Sequence, residues 1–158
     1  MSKSTKAAAK KSAAPTVAYE TTLLVRDCCL CLHVQRAART LARRFDDALR
    51  PFGLTNGQFS LMMSLNRPRP AGMASVASLL AMDRTTLTAA LKPLERRGLV
   101  RIAQDPEDRR GRLLLLTAEG EGLLARAVPA WESTHAEIER LLPGGNPNQL
   151  RETLRALA

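Results

Sequence analysis

Asp83-Arg-Thr-Thr-Leu-Thr-Ala-Ala-Leu-Lys-Pro-Leu-Glu-Arg-Arg-Gly98 is the stretch that decides the fold. Asp83 is a short acceptor able to cap a helix start, and Gly98 stands where a left-handed residue ends one. Between them Leu87, Leu91 and Leu94 recur at helical spacing and form one apolar face. The opposite face presents Thr85, Thr88, Ala89, Lys92 and Arg96, with Arg84 and Thr86 near the start, and carries no acid. A helix start offers unpaired N–H groups to phosphates, and small Thr and Ala side chains allow close approach to base edges in a major groove. A solvated amphipathic helix would show the same pattern, so the flanking segments must arbitrate.

Upstream, residues 75–81 predict a short helix with Val76, Leu79 and Leu80 as its apolar face, separated from the next helix by a tight turn. Downstream, residues 99–103 and 112–116 are strand-like and flank the polar run Gln104-Asp-Pro-Glu-Asp-Arg-Arg-Gly111. A hairpin results, with Arg109, Arg110 and Arg112 crowded at its tip and Asp105 and Asp108 close enough to orient them. Arginine suits a narrow, electronegative minor groove. A charged hairpin can merely keep a sheet edge soluble, but a groove-reading helix followed by a basic hairpin is jointly specific. Residues 51–117 are therefore expected to form a winged helix-turn-helix that binds duplex DNA.

The remainder is helical. Thr55 and Gln58 form a capping box for a helix reaching about residue 66, which Arg67-Pro-Arg-Pro-Ala-Gly72 breaks. Residues 21–49 contain no Pro or Gly and predict one long helix. It has two apolar rows: Leu24, Cys28, Cys31, Ala38, Ala42, Phe45 and Leu49 in one, and Leu23, Leu30, Val34, Ala37, Leu41 and Ala48 in the other. A helix with two such faces suggests a dimer. Thr117 caps a further helix to about residue 142, with Leu124, Val128, Trp131, Ile138 and Leu142 facing the first helix and a kink expected at Pro129. Asn146-Pro147 launches a last amphipathic helix bearing Leu150, Leu154 and Leu157. The fold class is mainly α with a small β-hairpin wing. A basic disordered tail (1–19) precedes a helical dimerisation region (20–50 and 118–158) built around the DNA-binding region (51–117).

Composition agrees. The 158 residues include 24 basic and 15 acidic side chains, a net charge of +9, and such an excess favours a polyanionic partner. No stretch of about 18 uninterrupted apolar residues spans a membrane, so a cytoplasmic location is expected. The three cysteines, Cys28, Cys29 and Cys31, are too close together to staple distant segments. His33 and His135 are the only histidines, so neither a metal site nor a cofactor is expected. No nucleophile motif or phosphate-binding glycine loop points to an enzyme. A basic adaptor for RNA or anionic membrane would use charge without a groove-reading helix.

The wing sequence Asp108-Arg-Arg110-Gly-Arg-Leu-Leu-Leu-Leu116-Thr117 resembles that of the MarR family of bacterial transcription regulators, in which Asp-x-Arg precedes Leu-Thr by five residues. Leu80-Ala-Met-Asp-Arg-Thr-Thr-Leu-Thr and Leu94-Glu-Arg-Arg-Gly-Leu-Val100 are similar to the family's recognition helix and its exit. The resemblance implies a homodimer on a pseudo-palindromic double-stranded operator, usually as a repressor. It implies that Arg110 enters the minor groove with Asp108 holding it, and that Lys92, Arg96 and Arg109 touch phosphate or bases. Pro93, inside the recognition helix, departs from the pattern and should bend it.

The same resemblance implies release from DNA by a small aromatic effector or by thiol oxidation. Cys31 stands where hydroperoxide-sensing members carry their reactive cysteine, and Cys28 shares its helix stripe. The positions of the activating tyrosines hold Gln35, Phe45 and Asn56, and a cysteine filling a helix interface as a small hydrophobe is the alternative. A ligand pocket is expected among His33, Arg36, Thr40, Phe59, Met62, Met63 and Trp131, which combine flexible apolar surface with polar handles.

Overall fold

The computed structural model describes residues 16–157. Most of the basic tail expected over residues 1–19 lies outside the described residues. The chain divides into two compact units, Met1–Ala38 and Arg39–Ala158.

In the first unit, α1 (Tyr19–Cys28) stops one residue before α2 (Leu30–Leu49) begins. The single helix expected over residues 21–49 is thus two helices. Asp27, Cys28 and Cys29 are consecutive weak helix formers, and Cys29 adopts an extended conformation with ψ 104°. The His33 ring compensates, its Nε2 lying 3.1 Å from the Asp27 carbonyl that it reaches as a donor. Arg26 braces the same corner, donating to both carboxylate oxygens of Asp27 at 2.6 and 2.8 Å.

In the second unit α2 ends in a short 3-10 turn, Arg50–Phe52, closed by Gly53 at φ 64°. The left-handed backbone there favours glycine. Both halves of the capping box then start α3 (Asn56–Leu65): Thr55 Oγ1 accepts from the Gln58 N–H, and Gln58 Oε1 accepts from the Thr55 N–H. Asp46 on α2 adds an acceptor for the Asn56 N–H at 2.6 Å.

A two-residue strand, β1 (Ala71–Gly72), leads into α4 (Met73–Leu79), which begins two residues earlier than the sequence suggested. Val76 is fully buried and Leu80 partly so, but Leu79 is 62% exposed. Leu79 is therefore not part of the buried face expected of it: the helix ends there, and the chain turns through Ala81 at φ 50°.

The decisive stretch forms α5 (Arg84–Arg96), with Leu87, Leu91 and Leu94 all at 0% exposure. An interior proline costs a helix about 3 kcal/mol. Full burial of each leucine contributes about 1.5–3 kcal/mol. The tertiary gain is larger, and the helix continues through Pro93 for three more residues.

β2 (Val100–Gln104) and β3 (Arg112–Leu116) form the hairpin, with Val100 opposite Leu116 and Gln104 opposite Arg112. β1 adds to the far edge of β3, giving the antiparallel order β1-β3-β2. A two-residue strand has no readable alternation, so β1 left no sequence signal. Leu114 in the central strand is fully buried in the same cluster as Leu61, Met62 and the three α5 leucines. α6 (Ala118–Glu139), capped by Thr117, runs uninterrupted through Pro129. Trp131 on it stacks with Phe45 of α2 and Phe59 of α3, at ring-centre distances of 6.3 and 6.1 Å. α7 (Pro147–Arg155) starts at Asn146, whose side chain accepts from the Gln149 N–H.

Candidate nucleic-acid interface

The start of α5 is rigidly built. Asp83 accepts from the Thr86 N–H at 2.8 Å with one carboxylate oxygen and from the Thr86 hydroxyl at 2.7 Å with the other. These bonds hold the Asp83 carboxyl below its ordinary range, the hydroxyl bond contributing most. Thr88 donates its hydroxyl to the Arg84 carbonyl at 2.7 Å. Thr86 and Thr88 thus spend their hydroxyl protons locally, and each keeps lone pairs and a methyl group for base edges. Arg84, Thr85, Thr86, Thr88, Ala89, Lys92 and Arg96 are all exposed, as the spacing predicted.

The wing is shaped by main-chain bonds. Gly111 N–H donates to the Asp108 carbonyl at 2.8 Å, and Asp105 N–H donates to the Gly111 carbonyl at 3.2 Å. Gln104 reaches across to the Arg109 carbonyl at 3.2 Å. Asp108 accepts from the Arg110 main-chain N–H at 2.9 Å. Among the described residues no ion pair joins Asp105 or Asp108 to a wing guanidinium, so the orienting role expected of these acids is exerted through the backbone. A two-residue side-chain-to-backbone loop is an ordinary Asp geometry in turns. It leaves the Arg110 guanidinium directed by its own rotamer.

The two parts converge. Arg84 from α5 and Arg110 and Arg112 from the wing line one cleft of about 590 Å³ together with Asp105 and Asp108. Lys92 and Arg96 sit further along α5, outside that cleft. An exposed helix start and an arginine-bearing hairpin lining one cleft are the groups that phosphates and groove edges of a duplex would meet.

A family model described as MarR family matches residues 54–111. The transcriptional regulator HosA of Escherichia coli O111:H- is 32% identical over 104 residues, covering 66% of this chain and 77% of HosA. The transcriptional regulator MosR of M. tuberculosis, solved in complex with DNA, superposes with a TM-score of 0.75 at 37% identity, covering 82% of this chain and 92% of MosR. The chain belongs to the MarR family. It is a DNA-binding transcriptional regulator of winged helix-turn-helix fold and not an enzyme. CouR of Rhodococcus jostii RHA1, solved with bound p-coumaroyl-CoA, is 26% identical with a TM-score of 0.71, over 83% of this chain and 92% of CouR.

In this MarR-family chain a second cavity, of about 500 Å³, lies between α3, α4 and α6. It brings together three of the residues expected to hold a ligand, Phe59, Met63 and Trp131. Met62 does not join them: it is fully buried in the core, one position round the helix from Met63. Thr40 is exposed on α2, where its hydroxyl accepts from Arg43, and it does not line the cavity. His33 and Arg36 belong to the first unit, where His33 is engaged with the Asp27 carbonyl. Leu79, Val128 and Glu132 line the cavity without having been foreseen.

The cysteines are free, Cys28 and Cys31 being exposed. The break at Cys29 places them in different helices, so the shared helix stripe expected for them does not exist. Gln35 donates its side-chain amide to Cys31 Sγ at 3.2 Å.

Proposed function

We propose that this MarR-family regulator acts as a homodimer on a pseudo-palindromic operator and represses transcription until a small aromatic effector releases it. The observation that carries the DNA contacts is the convergence of Arg84, Arg110 and Arg112 on one cleft beside the exposed α5 surface. Thr85 through Lys92 would read the major groove, Arg110 the minor groove, and Arg96, Arg109 and Arg112 the backbone. Dimerisation is supported by apolar side chains left outside the single chain's core: Leu24, Leu30 and Val34 in the first two helices, Leu150 and Leu154 in the last. Such side chains are costly in number on a monomer. No described helix is long and apolar enough to cross a membrane, in keeping with a cytoplasmic role.

The effector reading rests on the cavity of Phe59, Met63 and Trp131 and is supported by CouR, a relative solved with an aromatic thioester bound. Oxidation of Cys31 is the second reading, favoured by its exposure and by the Gln35 amide beside its sulfur. Hydroperoxide should then release DNA from the wild type and spare Cys31→Ser.

The test of the whole reading is selection of bound sites from random duplex DNA at a stated salt concentration. Inverted repeats spaced by about one helical turn are expected, bound by a dimer. Equal affinity for scrambled duplex, RNA and anionic vesicles would replace it with a nonspecific basic adaptor.

A further inference from the structure

The two cavities have opposite electrostatic character. The cleft at the DNA face is lined by three arginines and two aspartates, whereas among the described residues Glu132 is the only ionisable side chain lining the cavity between α3, α4 and α6. Its apolar walls come from Phe59, Met63, Leu79, Val128 and Trp131. Arg67 is tied to the end of α3, donating through Nε to the Ser64 carbonyl at 2.9 Å, and does not line the cavity.

We propose that this cavity selects a planar, lipophilic cation, paired with the Glu132 carboxylate and packed against the Phe59 and Trp131 rings. The proposal rests on the reading that an effector here releases DNA, and it names that effector's charge class. An aromatic anion entering the cavity would lose hydration beside a carboxylate with no compensating cation. A cation gains the carboxylate and apolar contact with the aromatic cluster, in which Trp131 is already stacked with Phe45, Phe59 and His135. Met63 adapts to irregular outlines.

The position of the cavity supplies the coupling. Leu79 and Leu80 close α4, Ala81 at φ 50° makes the turn, and Asp83 caps α5. An occupant pressing on Leu79 and Leu80 therefore acts on the few residues that set where the recognition helix begins. If the cation binds better when that turn shifts, DNA binding and cation binding weaken each other by the same factor.

The experiment uses the full chain and three naphthalenes of similar shape: a naphthylmethyl trimethylammonium, its uncharged neopentyl analogue, and naphthoate. Binding is followed by calorimetry and by the emission of Trp131, the single tryptophan, and operator affinity by anisotropy. The cation should bind at least about tenfold more tightly than naphthoate. Glu132→Gln should abolish that ratio, leave the neutral analogue within about twofold, and leave the melting temperature unchanged, since Glu132 is exposed. The charge class is overturned if naphthoate binds as tightly, if the ratio survives in Glu132→Gln, or if no probe binds. A cation that binds with this signature but leaves operator affinity unchanged upholds the charge class and removes the release reading. Naphthoate releasing DNA does the reverse.

Discussion

The Arg97 guanidinium donates through Nη1 to the main-chain carbonyl of Gly53 at 2.7 Å, across 44 positions of sequence. Arg97 is the residue immediately after α5, and Gly53 closes the turn between α2 and α3. The exit of the recognition helix is thereby tied to the turn that leads into α3. A charged donor to a carbonyl is worth about 1.5–3 kcal/mol when sheltered, and less here because Arg97 is exposed.

Arg97→Ala is accordingly expected to weaken operator binding about three- to tenfold by loosening α5. The slope of affinity against salt should not change, because no phosphate contact is lost. Arg96→Ala, removing a proposed backbone contact, should lower that slope by about one ion. A reduced slope for Arg97→Ala would make Arg97 a DNA contact instead.

The Asp83 cap makes a pH prediction. Its folded pKa lies below the ordinary value of 3.8, through the Thr86 hydroxyl bond first and the Thr86 N–H second. The cap therefore contributes its full stabilisation above pH 3.8 and loses it as pH falls through the lowered folded value. Asp83→Ala should be less stable than the wild type at pH 7, with the gap in urea midpoint narrowing steadily below pH 3.8. A gap independent of pH would show that the carboxylate charge is not what caps α5.

Both predictions rest on features of unequal visibility in the sequence. Asp83, the α5 leucines and the Thr55–Gln58 box were legible because helix caps and 3.6-residue periodicity are local. Arg97 was not, since its partner lies 44 positions away and nothing in its neighbourhood distinguishes it from Arg96. The break at Cys29 was missed because no Pro or Gly marks it. The sum of three mediocre helix formers, with His33 available to take a freed carbonyl, produced it. The cavity was half legible: aromatic and Met residues announce an apolar lining, but which of two adjacent methionines faces it depends on a packing angle. The charge of that lining, set by Glu132, had no sequence signal.

Gly120 is required by a close approach. A Cβ there would lie 2.1 Å from the Leu99 carbonyl oxygen, a contact with backbone that no rotamer change relieves. The glycine lets the first turn of α6 rest against the start of the wing, where Thr117 also donates to the Gly98 carbonyl at 2.7 Å. Gly120→Ala is expected to destabilise the fold by about 3 kcal/mol or more, the upper end of overpacking costs. Gly122→Ala on the same helix, whose nearest neighbour would be the flexible Arg126 tip at 3.7 Å, should stay within about 0.5 kcal/mol of the wild type or gain slightly. Chemical unfolding of the pair checks this, and equal stabilities would contradict the close approach.

The wing separates geometry from charge. At Gly111 a Cβ would meet Asp105 Cβ at 2.8 Å and the Asp108 carbonyl oxygen at 3.1 Å. Gly111→Ala must therefore push apart the two acids whose carboxylates and carbonyls shape the tip. The tip is exposed and contributes nothing to the core, so the melting temperature should hardly move while operator affinity falls. Arg110→Ala removes the proposed minor-groove contact without disturbing the tip, and should cost about 1–3 kcal/mol of operator binding. Because Asp108 grips the Arg110 main chain and not its guanidinium, Asp108→Ala should act like Gly111→Ala. When combined with Arg110→Ala it should add little, since a misplaced tip has no arginine left to misplace. Full additivity of the Asp108 and Arg110 changes, measured by anisotropy on one operator, would mean that Asp108 acts on DNA binding by a route other than placing Arg110.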